Sequence, residues 1–336
     1  MNILAIETSC DETAVAVVKN GRWVLSSLVL SQADMHSIYG GVVPELASRQ
    51  HTEAVFALTQ NAIAQSGLEQ SQIDAVAVTY APGLIGALLV GVNFAKGLAV
   101  SLGVPLIPVH HIHGHIAANY IAKKRFKPPF LAVVASGGHT LIAKVEDFTK
   151  MSTVATTRDD ACGEAFDKVA RTLSLPYPGG AQLEKLALHG DPTAYKLPRA
   201  SIEGSALDMS FSGLKTAVLN IINQAAQKNE PLDRAGLAAS FCAAVCDTLV
   251  PRAVTAAKQC QMENIAVAGG VFANSILRGR LQTECDKKGI ALWLPPLWLC
   301  GDNAAMIGAQ AYFEYKAKNL ADSGLNAVAT MEIDRR

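Results

Sequence analysis

The sequence carries no net charge: 29 lysines and arginines balance 29 aspartates and glutamates. Capture of nucleic acid through an overall cationic field is therefore excluded. Charged residues of either sign are scarce, at 17% of 336, which is on the low side for a globular chain. No run of about eighteen residues is both apolar and uncharged, so no membrane span is expected. The opening segment MNILAIETSCDETAV lacks a basic n-region and a cleavage site, and its carboxylates come early, unlike a signal peptide. The seven cysteines (Cys10, Cys162, Cys242, Cys246, Cys260, Cys285, Cys300) are odd in number and form no C-x-x-C pair. Scattered reduced thiols in a cytoplasmic protein fit that pattern. The glycine-rich turns lack the spacing of a P-loop or of a G-x-G-x-x-G dinucleotide site. The zincin reading is weakened as well, because its His-Glu-x-x-His would need Glu where this chain has Ile112.

Half of the residues are apolar, enough for substantial cores, and the length suggests about two domains. Residues 2–8, 13–18 and 23–30 read as strands, with Lys19-Asn20-Gly21 as the turn between the last two. The same grammar returns at 130–135, through the turn Ser136-Gly137-Gly138-His139-Thr140, to 141–145 and 152–157. This is a repeat of pattern, not of identity. Helices and strands then alternate. In the first half the pattern predicts a helix over 44–66, a strand over 73–79, a small-residue helix over 86–102 and a strand over 104–109. In the second half it predicts helices over 161–174, 180–189, 212–227 and 234–259, a strand over 264–268, a helix over 274–288, a strand over 290–294 and a helix over 302–317. The fold class is α/β, and two halves with one opening imply a ligand cleft between them.

Four of the eight histidines fall in the run His110-His111-Ile112-His113-Gly114-His115. His111 and His115 share one face of a helix, where two neutral imidazoles can grip one metal ion. A distant carboxylate would complete a two-His, one-carboxylate set. Asp302, in Cys300-Gly301-Asp302-Asn303, is the candidate; it is equally placed to N-cap the last helix. The turn Glu7-Thr8-Ser9-Cys10-Asp11-Glu12-Thr13 offers hydroxyls and N–H groups for phosphate oxygens, and carboxylates for a cation or a nucleophile. It also suits an ordinary polar hairpin. Ser136-Gly137-Gly138 stands in the matching place of the second half, where glycine lets a ligand approach the backbone. Ala268-Gly269-Gly270-Val271 lies between a strand and a helix, the layout of a nucleotide site or of a tight packing turn. The small face of the 86–102 helix (Gly86, Ala87, Gly91, Ala95, Gly97) is expected to pack inside. The basic run Lys123-Lys124-Arg125-Lys127 reads as a solvated linker.

These motifs, with Tyr39-Gly40-Gly41-Val42-Val43-Pro44-Glu45, Pro82-Gly83-Leu84-Ile85-Gly86, Tyr177-Pro178-Gly179-Gly180 and Phe211-Ser212-Gly213-Leu214-Lys215-Thr216, resemble the bacterial TsaD (Gcp) family. Its members are the tRNA threonylcarbamoyladenosine synthases once described as glycoproteases. The likeness runs in order from residue 3 to about residue 312. His113, Ala81 and Ala181 stand where relatives often have Glu, Gly and Pro.

The resemblance implies the actin-like ASKHA fold, two duplicated α/β domains around a nucleotide cleft. The first domain, 1–127, would face a partner, the second, 128–300, would hold an adenylate, and the helix and tail of 301–336 would lie near the interdomain cleft. It implies an acyltransferase that moves a threonylcarbamoyl group from threonylcarbamoyl-adenylate to N6 of the adenosine 3′ of the anticodon in ANN-decoding tRNA. It assigns an iron or zinc ion to His111, His115 and Asp302. The donor, or ATP, falls to Val134, Ala135, Ser136, Gly137, Gly138, Asp167, Gly180, Glu184 and Asn274. Asp11 and Glu12 match residues the family needs for activity, one of them as the base for the amine proton. His139 can donate to an oxyanion, or equally make a structural hydrogen bond. Implied partners are tRNA, a TsaB-like paralogue, a TsaE-type ATPase and the TsaC-type enzyme that makes the adenylate, with no membrane. The alternatives are an ASKHA-fold small-molecule kinase, a metalloprotease and a non-catalytic scaffold.

Overall fold

The computed structural model describes residues 1–200 and 202–335. Ten strands and ten α-helices are present among them. The first sheet comprises β1 (Asn2–Glu7), β2 (Glu12–Lys19), β3 (Trp23–Ser31), β4 (Ala75–Ala81) and β5 (Leu106–His110), in the order β3-β2-β1-β4-β5. The second comprises β6 (Phe130–Ala135), β7 (Thr140–Asp147), β8 (Lys150–Thr156), β9 (Asn264–Ala268) and β10 (Ala291–Trp293), in the order β10-β9-β6-β7-β8. Read from β8, the second order repeats the first strand for strand, so the repeat of pattern in the sequence is a duplication of topology. Each sheet is mixed or partly parallel: β1 pairs antiparallel with β2 and parallel with β4, and β9 pairs parallel with both β6 and β10.

The helices are α1 (Ala33–Ser37), α2 (Pro44–Ser66), α3 (Ile85–Leu102), α4 (His111–Ala122), α5 (Cys162–Thr172), α6 (Gly179–Ala187), α7 (Ser212–Lys228), α8 (Arg234–Gln259), α9 (Ser275–Lys288) and α10 (Ala304–Lys316). The periodicity placed all but α1 and α4 within a few residues of these bounds. Five residues are too short a stretch for α1 to show a period.

The chain divides into two compact units. The first contains Met1–Pro128, Val145–Ser152 and Pro295–Arg336; the second contains Pro129–Lys144 and Thr153–Leu294. The segment 301–336, set apart in the sequence, thus packs within the first unit. In that unit strand alternation sorts the core into two layers. Ile3, Ala5, Ala16 and Val18 face α10 and the end of α4. Leu4, Ile6, Val15 and Val17 face α2 and α3. A sheet covered on both faces needs apolar residues at every position, and β1 reads Ile-Leu-Ala-Ile through its buried stretch. Each fully buried Ile or Leu there contributes about 1.5–3 kcal/mol. The alanine-rich face admits α10 closely: a Cβ at Gly308 would lie 2.7 Å from Val18 Cγ2. The tip Val145–Ser152 joins this unit through Phe148, whose ring stacks on Phe313 at 3.9 Å and whose carbonyl accepts from Gln310.

The second unit centres on α8, whose buried face meets Leu131 and Val133 of β6 and side chains of α5 and α6. By length and hydropathy α3 and α8 are apolar enough to cross a membrane, although Lys96 interrupts α3. The α8 window is 78% buried, as in a core helix. Most of the small face of α3 packs inward as expected, with a Cβ at Gly91 2.3 Å from Thr8 Oγ1 and one at Gly86 2.5 Å from Ser48 Oγ, but Gly97 is exposed and faces open space.

Candidate active site

Strand β5 runs directly into α4, so the four histidines straddle a strand–helix junction. His110 caps the helix: its Nδ1 accepts from Ile112 N–H at 3.2 Å, leaving Nε2–H to face Met331 O at 3.4 Å. His113 donates from Nε2 to Ile333 O at 2.7 Å. These two rings therefore hold the C-terminal segment. His111 and His115, one turn apart, turn the other way, with ring centroids 4.6 Å apart. Gly114 lets α4 approach α10, since a Cβ there would lie 2.6 Å from Ile307 Cδ1. That approach brings the start of α10 beside the histidines.

Asp302 does not cap α10. Asn303 does, its Oδ1 accepting from Met306 N–H at 2.9 Å. The N-cap reading of Asp302 is thus corrected by one residue, and the shift releases the Asp302 carboxylate toward α4. Its Oδ1 lies 3.1 Å from His115 Nε2 and 3.5 Å from His111 Nε2. One ligand atom from each of the three residues falls within 4.8 Å of the others. His115 is 1% exposed, and neither ring nitrogen makes a hydrogen bond. A buried polar atom left so costs about 1–3 kcal/mol, and a cation on Nε2 would remove that cost. Two imidazoles and a carboxylate are a donor set for iron or zinc, so the residues present fit a divalent metal.

Behind His111 sits Glu7, fully buried at the end of β1. Burial pushes its carboxyl up, but the His111 imidazole and its hydrogen bond outweigh this and hold it below the ordinary carboxylate range. Conversely, burial lowers His111, while Glu7 and Asp302 raise it to about 9. Glu7 stood in a motif the sequence singled out, yet nothing there assigned it a role. The available signal was a carboxylate ending an otherwise apolar strand.

Asp11 stands in the β1–β2 turn of the same unit and Glu12 opens β2. His51 of α2 clamps that turn, donating from Nε2 to Cys10 O at 2.9 Å and accepting the Thr13 hydroxyl on Nδ1 at 2.7 Å. Burial, the Asp302 charge and the Asp11 charge push the Glu12 carboxyl up to about 10. Glu12 is thus protonated at neutral pH in the metal-free chain. The turn 82–86 packs beneath: Leu84 N–H donates to Ser9 O, and a Cβ at Gly83 would lie 2.6 Å from that oxygen.

The remaining predicted residues all belong to the second unit and form a connected series. Val134 and Ala135 end β6, buried, and Ser136 closes a turn by exchanging hydrogen bonds with His139. The backbone N–H and C=O of His139 thus have a structural part in that turn. Gly269 passes so close that a Cβ would lie 2.3 Å from Ala135 O, and its φ of +97° favours glycine in any case. Gly163 at the start of α5 lies equally close to Ser136 O, at 2.5 Å from a built Cβ. Asp167, one turn along, accepts from Gly179 N–H at 2.9 Å. Glu184 on α6 accepts from both N–H and Oγ of Ser275. Asn274 caps α9 through Oδ1, while its buried Nδ2 donates to nothing. Gly137, Gly138 and Gly180 face open space. The second unit therefore presents a glycine-lined surface with an unused amide donor. The basic run after α4 is exposed, with Lys124 Nζ 4.8 Å above the Trp23 ring.

The geometry can be set beside known proteins. HypF of T. kodakarensis superposes with a TM-score of 0.66 at 16% identity, over 96% of this chain and 49% of that one. Component A of the Acidaminococcus fermentans (R)-2-hydroxyglutaryl-CoA dehydratase superposes with a TM-score of 0.56 at 13% identity, over 94% and 99%. At such identities the likeness concerns the fold alone, and that fold is the ASKHA type. Sequence relatives are far nearer. A tRNA N6-adenosine threonylcarbamoyltransferase of Clostridium botulinum is 52% identical over 336 residues, covering 100% of this chain and 99% of its own length. One of Clostridium perfringens is 52% identical over 334 residues, covering 99% and 98%. The profile of the TsaD family, tRNA N6-adenosine threonylcarbamoyltransferase, matches residues 23–309. With most of its length matched and full-length relatives at this identity, the chain belongs to the TsaD family of tRNA-modifying transferases.

Proposed function

We propose that this chain transfers the threonylcarbamoyl group from threonylcarbamoyl-adenylate to N6 of the adenosine 3′ of the anticodon in ANN-decoding tRNAs, with a divalent ion held by His111, His115 and Asp302. The observation that carries the reading is the His111–His115–Asp302 cluster, with buried His115 nitrogens that form no hydrogen bond. A bound iron or zinc ion supplies Lewis-acid charge that offsets the donor's anionic oxygens. The donor is a mixed anhydride. The N6–carbonyl bond forms, the bond from the carbonyl to the phosphate oxygen breaks, AMP leaves, and the N6 proton passes to a base.

The adenylate suits the second unit. Gly137, Gly138 and Gly180 leave room for close backbone approach, Asn274 Nδ2 offers a donor, and Asp167 and Glu184 hold the surrounding loops in place. The enzyme's part is mostly positioning and electrostatics, because the anhydride is already activated. Of the two neighbouring carboxyls Asp11 is taken as the base, because burial and the Asp11 charge push the Glu12 carboxyl up. Asp11→Asn is expected to lower kcat by about 10²-fold or more, with Glu12→Gln milder; equal losses would reverse the assignment.

The neutral net charge suits an enzyme that receives tRNA with help. A TsaB-like paralogue on the first unit, where Phe56, Ile85 and Val100 are exposed, a TsaE-type ATPase and a TsaC-type adenylate source complete the proposed cytoplasmic system.

The test is transfer of labelled threonine from threonylcarbamoyl-adenylate to unmodified tRNA with those partners present. Label on tRNA with wild type and none with His111→Ala supports the reaction and the ion's part in it. No label with folded wild type refutes the donor and acceptor proposed.

A further inference from the structure

Glu7 lies at the end of β1 with 0% exposure, and its carboxylate meets a backbone N–H, a hydroxyl and an imidazole nitrogen. Oε1 accepts the Ser9 N–H at 2.5 Å; Oε2 accepts the Thr79 hydroxyl of β4 at 2.6 Å and lies 3.0 Å from His111 Nδ1. Ser9 Oγ sits 3.2 Å from the same nitrogen. A carboxylate that receives an obligatory backbone donor on one oxygen and a hydroxyl on the other acts as an acceptor throughout. The proton between Glu7 and His111 therefore resides on Nδ1. With Nδ1–H spent on Glu7, the lone pair of His111 belongs to Nε2, the atom 3.5 Å from Asp302 Oδ1.

We infer that Glu7 is a positioning residue for the metal site: it fixes the His111 tautomer and ring orientation and strengthens Nε2 as a donor toward a divalent cation. A ligating imidazole that gives its second N–H to a carboxylate is oriented and made more basic by it. Here the orienting group is itself held at both oxygens by β1, β4 and the following turn, so its aim is set by the first sheet and not by the ion. Burial of an ionised group at the base of an apolar sheet is costly, and in this chain that cost is spent beside the metal-candidate cluster. The inference rests on the reading that His111, His115 and Asp302 bind metal.

The experiment titrates Co²⁺ into purified wild type, Glu7→Gln and His111→Ala, followed by the visible d–d bands, with circular dichroism recorded in chelator. The expected result is wild-type binding, loss in His111→Ala, and a roughly 10–100-fold weaker affinity with a shifted band in Glu7→Gln. Glu7→Gln binding with wild-type affinity and an unchanged band overturns the inference and leaves the metal site standing. No Co²⁺ binding by wild type, or undiminished binding by His111→Ala, overturns the metal reading and this inference with it. Should Glu7→Gln not fold, wild type alone decides. In ¹⁵N-histidine-labelled, zinc-loaded protein, two-bond ¹H–¹⁵N spectra should show His111 protonated at Nδ1 and ligated at Nε2. The reverse pattern overturns the inference.

Discussion

Two adjacent residues at the start of α10 take the two roles that were alternatives for Asp302. Asn303 ties the helix end, and Asp302 is left to face His111 and His115. The division separates stability from chemistry in a way that point variants can read. Asn303→Ala should cost about 1 kcal/mol of stability through the lost cap and leave metal affinity near wild type. Asp302→Ala should leave the melting temperature of the chelated protein within a few degrees and abolish tight metal binding. Thermal melts in chelator, paired with metal titration, check both. Gly269 supplies a harsher case. Its φ is positive and a Cβ would press on Ala135 O at 2.3 Å. Gly269→Ala should therefore destabilise by about 2–4 kcal/mol, combining backbone strain with overpacking. A loss under about 1 kcal/mol in a urea titration would mean that the β6 turn yields more easily than its packing suggests.

At the scale of elements, the end of β1, the turn after it and the start of α4 share a set of charges that gives the metal-free protein a definite pH response. His111 titrates at about 9 when folded against an ordinary 6.5. Its contribution is complete below pH 6.5 and is lost as pH rises through about 9. Glu12 is raised from 4.5 to about 10. Between those values the unfolded chain releases a proton that the folded chain keeps, so stability again falls with rising pH. The two act in the same direction, so the melting temperature in chelator should drop between pH 7 and 9.5, and Glu12→Gln should flatten the drop. A curve flat or rising over that range would contradict the charge arrangement. Much of the element-level architecture was legible beforehand. Periods of two and 3.6 marked the strands and most helices, because burial on one or both faces imposes those spacings. α4 escaped clear definition because nearly every side of it is buried, so no polar face interrupts the pattern.

The whole molecule is where sequence order and spatial order part. After α10 the chain crosses the first unit as a strap: Ala321 N–H donates to Leu106 O, Val328 N–H to Tyr80 O, Gly83 N–H to Ala329 O, and His113 to Ile333 O. Buried Ala327 and Ile333 anchor it. Removing residues 320–336 should lower the melting temperature by about 5 °C or more, since each such bond is worth about 1 kcal/mol and a domain of this size shifts a few degrees per kcal/mol. A truncated chain that melts with the full-length protein would show that the strap adds nothing to the first unit.

What the sequence determined by itself was local and periodic: the two-fold repeat of strand and turn, the α/β class, His111 and His115 on one helix face, and the glycine turns at 136–138 and 269–270. Each follows from spacing along the chain, which a linear reading measures directly. Tertiary structure alone decided what depends on partners far apart in sequence. It brought Asp302 to histidines 187 and 191 positions away, because Gly114 and Gly308 let α4 and α10 nest against the first sheet. It turned Glu7 from the last residue of a strand into the support of His111, and it used His110 and His113 to hold the C-terminal strap. Four similar side chains in one run thereby received different tasks, because the strand–helix junction points them in different directions and each meets a different set of groups there.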